Sequence, residues 1–404
     1  MSLLSGRRVL VTGGTGFIGG RAVEKLVLEH DAKVRVLTSN YAGASRVGRF
    51  DVELVRGDVT DRSLMLNAAE GCDTIIHCAY GSRGSDAVRR QVNVEGTRAV
   101  LDAALATGAR RVVHVSTMVV YGIGIEGLLD ERAPTRRTGV SYADTKREAE
   151  ILAFEYVRRH GAPVTVIQPT AVYGPNAPSW TERVIQAMKT GLIPLVDGGG
   201  GLANPVYIDD LADAMLLAAT RDEAVGEAFL IASGERVTWR DFYGRYEAML
   251  GMDATIDMSQ AEAKALYARS QVRRPWLAAD LLTLLREDVA LRRRLFKTRE
   301  LATVARLLGP ARRPLASLFR PRGNQRINGL AKSGTGTTEQ VGRRPQPVHP
   351  KQVDFLAAKT DVSIEKARRL IGYQPGFDLD AGMSLTESWA RWAGLLPSAA
   401  VGRP

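Results

Sequence analysis

One stretch near the start of the chain, Val9-Leu10-Val11-Thr12-Gly13-Gly14-Thr15-Gly16-Phe17-Ile18-Gly19, limits what the rest can become. A short apolar run breaks off at Thr-Gly-Gly. It reopens into a segment whose apolar residues, Ala22, Leu26 and Val27, recur along one helical face. That order reads as strand, tight glycine turn and helix start. Gly13 can take backbone angles that other residues avoid. Gly16, having no side chain, lets the main chain approach a pyrophosphate, and Gly19 lets the new helix pack closely on the sheet. The unpaired N–H groups of the first helical turn then face the anionic phosphates. The spacing is G-x-x-G-x-x-G rather than the commoner G-x-G-x-x-G.

Alternation continues beyond this unit. Residues 33–37, 52–55, 74–78, 111–116 and 164–167 read as further strands, with helical runs between most of them, notably 88–106 and 142–159. The pattern predicts an α/β fold built on a doubly wound parallel sheet, with ligands at the carboxyl ends of its strands. The second half is less regular. Helices are expected over 179–190 and 210–219, and a mobile four-glycine loop at 198–201. Leucines and arginines recur at helical intervals over 276–308. Residues 323–350, rich in Gly, Ser, Thr, Gln, Pro and Arg, read as a disordered loop, with order returning at Asp361. The expected division is a dinucleotide-binding domain with an interleaved substrate lobe over 1–265, a basic insertion over 266–350, and the rest of the substrate lobe over 351–404.

Charge sharpens that division. Residues 271–350 hold 17 Arg and Lys against 5 Asp and Glu, so the net charge of +11 belongs to this segment. It reads as a solvated helical excursion, as a surface for an anionic membrane, or as a nucleic-acid contact. Stacking aromatics are confined to Trp276, Phe296 and Phe319, so nucleic acid is the weakest of the three. Peripheral membrane contact is the functional expectation. Cys72 and Cys78 suit a reducing compartment and have no metal-ligand spacing, so no metal is expected. The first strand starts at once and no apolar run is long enough to cross a membrane, so the expected location is cytoplasmic, peripheral to a membrane at most.

Chemistry enters with Tyr142 and Lys146, four apart near the start of an expected helix and therefore on one face. An ammonium nearby favours the ionised phenol and lowers its pKa. The tyrosine could then exchange a proton with a substrate hydroxyl near neutral pH. Thr117, at the end of the fifth strand, brings a hydroxyl that could hold the reacting oxygen beside the phenol.

At this point the chain resembles the extended short-chain dehydrogenase/reductase family, also called the NAD-dependent epimerase/dehydratase family. The matching pieces are 12–19, Gly57-Asp58, His77-Cys78-Ala79, Asn93-Val94-Glu95-Gly96-Thr97, 116–122, 142–146, 169–175, 206–210 and Ile371-Gly372-Tyr373-Gln374-Pro375. The resemblance covers roughly residues 7–265 and 355–395. It implies a Rossmann fold with a small substrate lobe, NAD or NADP as cofactor, a small-molecule substrate and a homodimer. It implies that Gly13, Gly16 and Gly19 hold the pyrophosphate, with Phe17, Ile18, Thr38 and Val59 around the dinucleotide. Asp58 would bond the adenine, Ala79 line the nucleotide, Asn93 brace the site and Pro169 border the nicotinamide. Asn93 and Asp58 also suit turn or helix-cap duty. Thr117, Tyr142 and Lys146 would be the catalytic set; Tyr121 reads as packing.

Departures from the family pattern narrow the function. The carboxylate that usually follows strand two and binds the ribose is replaced by Thr38-Ser39-Asn40, and Arg46 or Arg49 could reach a 2′-phosphate, so NADP is modestly favoured over NAD. The Asp-Glu pair that follows the catalytic threonine in sugar-nucleotide dehydratases is Met118-Val119 here, which disfavours dehydration. The arginine that grips the diphosphate of nucleotide sugars is missing from Leu202-Ala203-Asn204-Pro205, leaving Arg183 or Arg236 to substitute, and Gln168 replaces a common arginine before Pro169. The expected activity is hydride transfer at a secondary alcohol or ketone carbon of a small, sugar-like or hydroxy/keto substrate. A nucleotide-sugar epimerase that retains NAD is the alternative within enzymes. A non-catalytic dinucleotide sensor or RNA-binding relative is the alternative outside them.

Overall fold

The computed structural model describes residues 3–81, 84–272 and 343–396. Its strands, in chain order, are β1 (Arg8–Thr12), β2 (Lys33–Thr38), β3 (Val52–Arg56), β4 (Thr74–His77), β5 (Arg111–Val115), β6 (Gly127–Leu129), β7 (Val164–Pro169), β8 (Ala171–Tyr173), β9 (Ile193–Val196), β10 (Pro205–Tyr207), β11 (Ala228–Ile231), β12 (Thr255–Met258) and β13 (Thr360–Val362). Seven of them form one sheet in the order β11-β7-β5-β4-β1-β2-β3, every neighbouring pair parallel. The five strands expected after β1 are all present, within two residues at each end. β4 and β11 are buried throughout and β1 is buried except at Arg8, as a sheet covered on both faces requires. The chain leaves β1 for β2 and β3 on one side and returns to β4 on the other. The reversal of direction therefore lies between β1 and β4, the place where such sheets open a crevice.

The helices are α1 (Phe17–Leu28), α2 (Arg62–Ala69), α3 (Asp86–Arg90), α4 (Gly96–Thr107), α5 (Ser141–His160), α6 (Arg183–Thr190), α7 (Ile208–Thr220), α8 (Trp239–Leu250), α9 (Gln260–Val272), α10 (Pro350–Ala357), α11 (Glu365–Ile371) and α12 (Leu379–Trp392). The single helix expected over 88–106 is two, joined by a π-turn at Gln91–Glu95. Hydrophobic spacing does not register such a turn, and it falls on Asn93, where side-chain direction matters. α5 ends in the basic residues Arg158, Arg159 and His160 and stops at Gly161, both favourable at a helix carboxyl end.

The smaller lobe is made of strand pairs β8–β10, β9–β12 and β6–β13 with α6, α8, α10 and α12. Tyr173, Trp239, Phe242 and Tyr246 are fully buried in it. The carboxylate of Asp210 accepts hydrogen bonds from the backbone N–H groups of Gly376 (2.7 Å) and Phe377 (3.3 Å), fixing the late segment to α7.

Two expectations need correction. The glycine run at 198–201 is packed, not mobile: Gly199 and Gly201 are buried, and a Cβ on Gly201 would lie 2.1 Å from the carbonyl oxygen of Leu356. The described residues from Arg343 on are also ordered, well before Asp361. Leu192 donates its N–H to the Arg344 carbonyl and Gln346 donates to Leu192, so this stretch satisfies its backbone beside β9. His349 then caps α10. Met1–Tyr267 and Arg343–Pro404 accordingly belong to one compact unit. The expected amphipathic run at 276–308 and most of the expected disordered loop lie outside the described residues. Among the described residues, no helix is long and apolar enough to cross a membrane.

Candidate active site

A cavity of about 720 Å³ opens at the carboxyl ends of the central strands. Its floor is the glycine turn. Gly13 has φ +68°, and a Cβ there would lie 2.7 Å from the backbone nitrogen of Ala79 across the β1–β4 crevice. A Cβ on Gly19 would lie 2.5 Å from the Gly13 carbonyl oxygen. Gly16 is the N-cap of α1, with no side-chain cap and no acidic residue in the first turn. The first-turn N–H groups thus stay available to an anion, and nothing negative competes for them. Phe17, Ile18, Thr38, Asp58, Val59, Ala79 and Pro169 line the same cavity. Asp58 is exposed there, its Oδ1 accepting from the N–H (2.9 Å) and hydroxyl (2.8 Å) of Thr60. These residues fit an extended diphosphate nucleotide.

A second cavity, about 710 Å³, lies beside the first. Thr117, Tyr142, Tyr80, Thr170, Ser179 and Trp180 line both. Thr117 stands just past β5, with its hydroxyl close enough to the Tyr142 phenol to favour the ionised form. Lys146, one helical turn beyond Tyr142 on α5, is buried and donates from Nζ to the carbonyl of Val115 (2.8 Å). Thr117, Tyr142 and Lys146, expected from the sequence as one set, all line the first cavity. The sequence did not anticipate their electrostatics. Tyr142 keeps 37% of its surface open, at the junction of the cavities, yet surrounding protein desolvates the phenol and pushes its pKa up to about 12. The Thr117 hydroxyl offsets part of this. The expected lowering by Lys146 is not among the causes of the shift; the Lys146 ammonium donates to the Val115 carbonyl. Burial brings Lys146 itself down to about 8. The Tyr80 ring packs edge-on to Tyr142 at 5.4 Å between centroids, with the Lys146 ammonium 5.7 Å from its centre.

Asn93 does not line either cavity. From the π-turn its Oδ1 accepts the Gly81 N–H (2.7 Å) and its Nδ2 donates to Thr145 Oγ1 (3.0 Å), tying the loop after β4 to the helix that carries Tyr142 and Lys146. A buried chain continues behind it. Thr97 gives its hydroxyl proton to the Asn93 carbonyl (2.6 Å), so it accepts from His77 Nε2 (3.0 Å), which leaves His77 Nδ1 to accept from Thr12 (2.7 Å). His77 is thereby held as one neutral tautomer, with its pKa lowered to about 3 by burial. Tyr121 is packing, as expected: it donates to Gln168 (2.8 Å), which donates to Glu150 (2.9 Å), which also accepts from Ser116 (2.6 Å).

The sequence pattern of the NAD-dependent epimerase/dehydratase family matches residues 9–232. This chain belongs to that family. It is 31% identical over 239 residues to the 4-hydroxy-2-methyl-3-oxo-4-farnesyl-3,4-dihydroquinoline-1-oxide ketoreductase of Stigmatella aurantiaca, covering 58% of this chain and 71% of that one. It is 35% identical over 249 residues to a dTDP-glucose 4,6-dehydratase of Mycobacterium tuberculosis, covering 57% and 73%. Among solved structures it resembles in fold an epimerase of Methanothermobacter thermautotrophicus (TM-score 0.65, 19% identity, 97% and 95% covered). It also resembles a dTDP-glucose 4,6-dehydratase of Streptomyces venezuelae that holds NAD (TM-score 0.64, 23% identity, 96% and 99% covered). The chain is therefore an enzyme of the extended short-chain dehydrogenase/reductase type, in an NAD-binding family.

Within that family pattern, the structure adds residues the sequence did not single out. Tyr80 and Trp180 border both cavities, and the signal for Tyr80 was its place directly after the matched His77-Cys78-Ala79. The stretch 346–352 walls the second cavity from beyond the insertion, where no local motif could announce it. The candidate arginines sort clearly. Arg49 pairs with Glu24 (3.0 Å), and Arg46 lies 4.0 Å from the same carboxylate; neither lines the dinucleotide cavity. Arg236 pairs with Asp361, away from both cavities, whereas Arg183 lines the second.

Proposed function

We propose that this chain is an NAD(P)-dependent oxidoreductase interconverting a ketone and a secondary alcohol on a small substrate in the second cavity. The meeting of Thr117, Tyr142 and Lys146 where the two cavities join carries the reading. The nicotinamide dinucleotide, when bound, supplies or accepts the hydride. Residues 13, 16–19, 38, 58, 59, 79 and 169 would hold it. In the reduction direction Tyr142, protonated at neutral pH, gives its proton to the carbonyl oxygen, which the Thr117 hydroxyl holds beside it. The Thr117 hydroxyl then holds the phenolate so formed, and Lys146, which lines the dinucleotide cavity with its ammonium on the Val115 carbonyl, would bond the ribose hydroxyls of the nucleotide. Met118 and Val119 follow Thr117 and offer no carboxylate, so loss of water from a sugar, the reaction named for the dTDP-glucose relatives, lacks its acid and base here. The chemistry named for the Stigmatella ketoreductase suits this set better.

Nucleotide-sugar epimerisation with retained NAD is the second reading, supported by the relatives that act on sugar nucleotides. The two differ in whether cofactor is consumed. Nicotinamide fluorescence should fall in step with product when candidate ketones are added with NADPH or NADH. Product formed with constant fluorescence would instead establish epimerisation. No turnover of any carbonyl compound by cofactor-loaded protein would return the chain to a sensor. Between cofactors, NADP is modestly preferred, since Thr38 and Ser39 line the cavity where a carboxylate would repel a 2′-phosphate. For the basic stretch 271–350, the charge supports contact with anionic membranes, and failure to sediment with anionic liposomes at low salt would end that idea.

A further inference from the structure

The second cavity specifies more than a generic substrate. Apolar side chains form much of its lining, among them Met118, Val119, Trp180, Val184, Val348 and Phe355, with Ser179, Tyr243, Gln346 and Gln352 as neutral polar groups between them. Among the described residues, no aspartate or glutamate lines it. A nucleotide sugar presents two phosphates, a base and several hydroxyls, and each needs a polar partner on entering a site. Against two phosphates the described lining sets Arg183, Lys351 and His349.

The cations of the cavity are equally informative. Lys351 donates its ammonium to the Thr138 carbonyl. His349 accepts from the Lys351 backbone N–H through Nδ1 (3.2 Å) and packs edge-on against Tyr267. Arg183, the first residue of α6, is exposed, and its guanidinium has neither hydrogen bond nor ion pair among the described residues; its charge is felt by Tyr80. An arginine without a partner, in a cavity without a carboxylate, lacks only an anion.

We propose that the substrate is a predominantly apolar ketone or secondary alcohol carrying one acidic group, its hydrocarbon body against the Val348–Phe355 wall and its anion on Arg183. The inference rests on the oxidoreductase reading and names the substrate class of that same site. In the reduction, the carbonyl carbon gains hydride and the oxygen gains the Tyr142 proton, which bulk water returns to the phenolate. The acidic group takes no part and only orients the chain.

The test uses the full chain loaded with NADP⁺ and calorimetric titration with a medium-chain keto acid, an aryl keto acid, the methyl esters of both, and UDP-glucose. The acids should bind about tenfold more tightly than their esters, the size expected for one charge-assisted contact. Arg183→Gln should bring acid affinity down to that of the ester. Arg236→Gln, outside the cavity, should leave it unchanged. Equal binding of acid and ester, no binding of either acid, or tighter binding of UDP-glucose would overturn the proposal. Parallel turnover assays keep the two readings apart. An acid that binds through Arg183 but is never reduced defeats the oxidoreductase reading. Turnover of a sugar nucleotide, abolished by Tyr142→Phe, defeats only the substrate class.

Discussion

The two cavities that meet at Tyr142 are built by opposite means. The dinucleotide cavity is shaped by backbone: a glycine turn, an uncapped helix start and the ends of β1, β2 and β4, much of it from residues 13–81. The substrate cavity is shaped by side chains gathered from stretches as far apart as Tyr80 and Leu356. A backbone device tolerates little change but can be recognised from a few glycines. A side-chain wall can be rebuilt residue by residue, and so it can differ between relatives that share the first cavity.

The sharpest test of that separation is Tyr142→Phe. It leaves the glycine cradle untouched and removes only the phenolic proton. Turnover should fall by about 10²–10⁴-fold, the range for a lost general acid. Cofactor affinity, read by nicotinamide fluorescence, should stay within about twofold, since no charge or backbone group is removed. If both fell together, the two cavities would not be independent.

Glycine substitutions probe the contrast from the other side. Gly13→Ala puts a Cβ against the Ala79 backbone at a position with φ +68°. It should cost about 2–4 kcal/mol in urea unfolding and abolish dinucleotide binding. Gly201→Ala presses on the Leu356 carbonyl at the end of α10. It should cost about 1–3 kcal/mol and weaken substrate while sparing cofactor. Equal effects of the two on cofactor binding would erase the distinction.

What the sequence disclosed follows the same division. The parallel sheet, the cradle and the shared cavity of Thr117, Tyr142 and Lys146 were legible because each rests on short-range order: alternating apolar runs, three glycines, a four-residue helical spacing. The π-turn at Asn93 was not, since one extra residue in a helix leaves hydrophobic spacing nearly intact. The packing of the 198–201 glycines was not, since it depends on Leu356, more than 150 residues away. The electrostatics of Tyr142 failed for a related reason. Spacing places Lys146 on the same helical face, but burial and the Val115 carbonyl decide where its charge acts.

That electrostatic result gives a pH prediction. Tyr142, pushed up to about 12, stays protonated through the working range and imposes no limit on reduction. Lys146, lowered to about 8, is charged below that pH and neutral above it. The rate constant kcat/KM for reduction should be level from pH 6 to about 8 and then fall by up to about tenfold per unit. Lys146→Arg, whose guanidinium keeps its charge, should flatten the descent even if overall activity drops. A profile level to pH 10 in the unaltered enzyme would show that the Lys146 charge plays no part.

The smallest expected effect lies at the far end of the dinucleotide cavity, where backbone gives way to side chains. Thr38 and Ser39 carry no charge, and the nearby guanidiniums of Arg46 and Arg49 are engaged by Glu24. Discrimination therefore comes from the absence of a repelling carboxylate more than from a dedicated phosphate grip. NADP should bind more tightly than NAD by no more than about fivefold, the worth of one screened, water-facing contact. Thr38→Asp should reverse the order by placing an anion against the 2′-phosphate, and Glu24→Gln should widen the original preference by freeing Arg46 and Arg49. If Glu24→Gln left the ratio unchanged while Thr38→Asp inverted it, side-chain charge at β2 alone would set the choice, and the arginines would be surface residues.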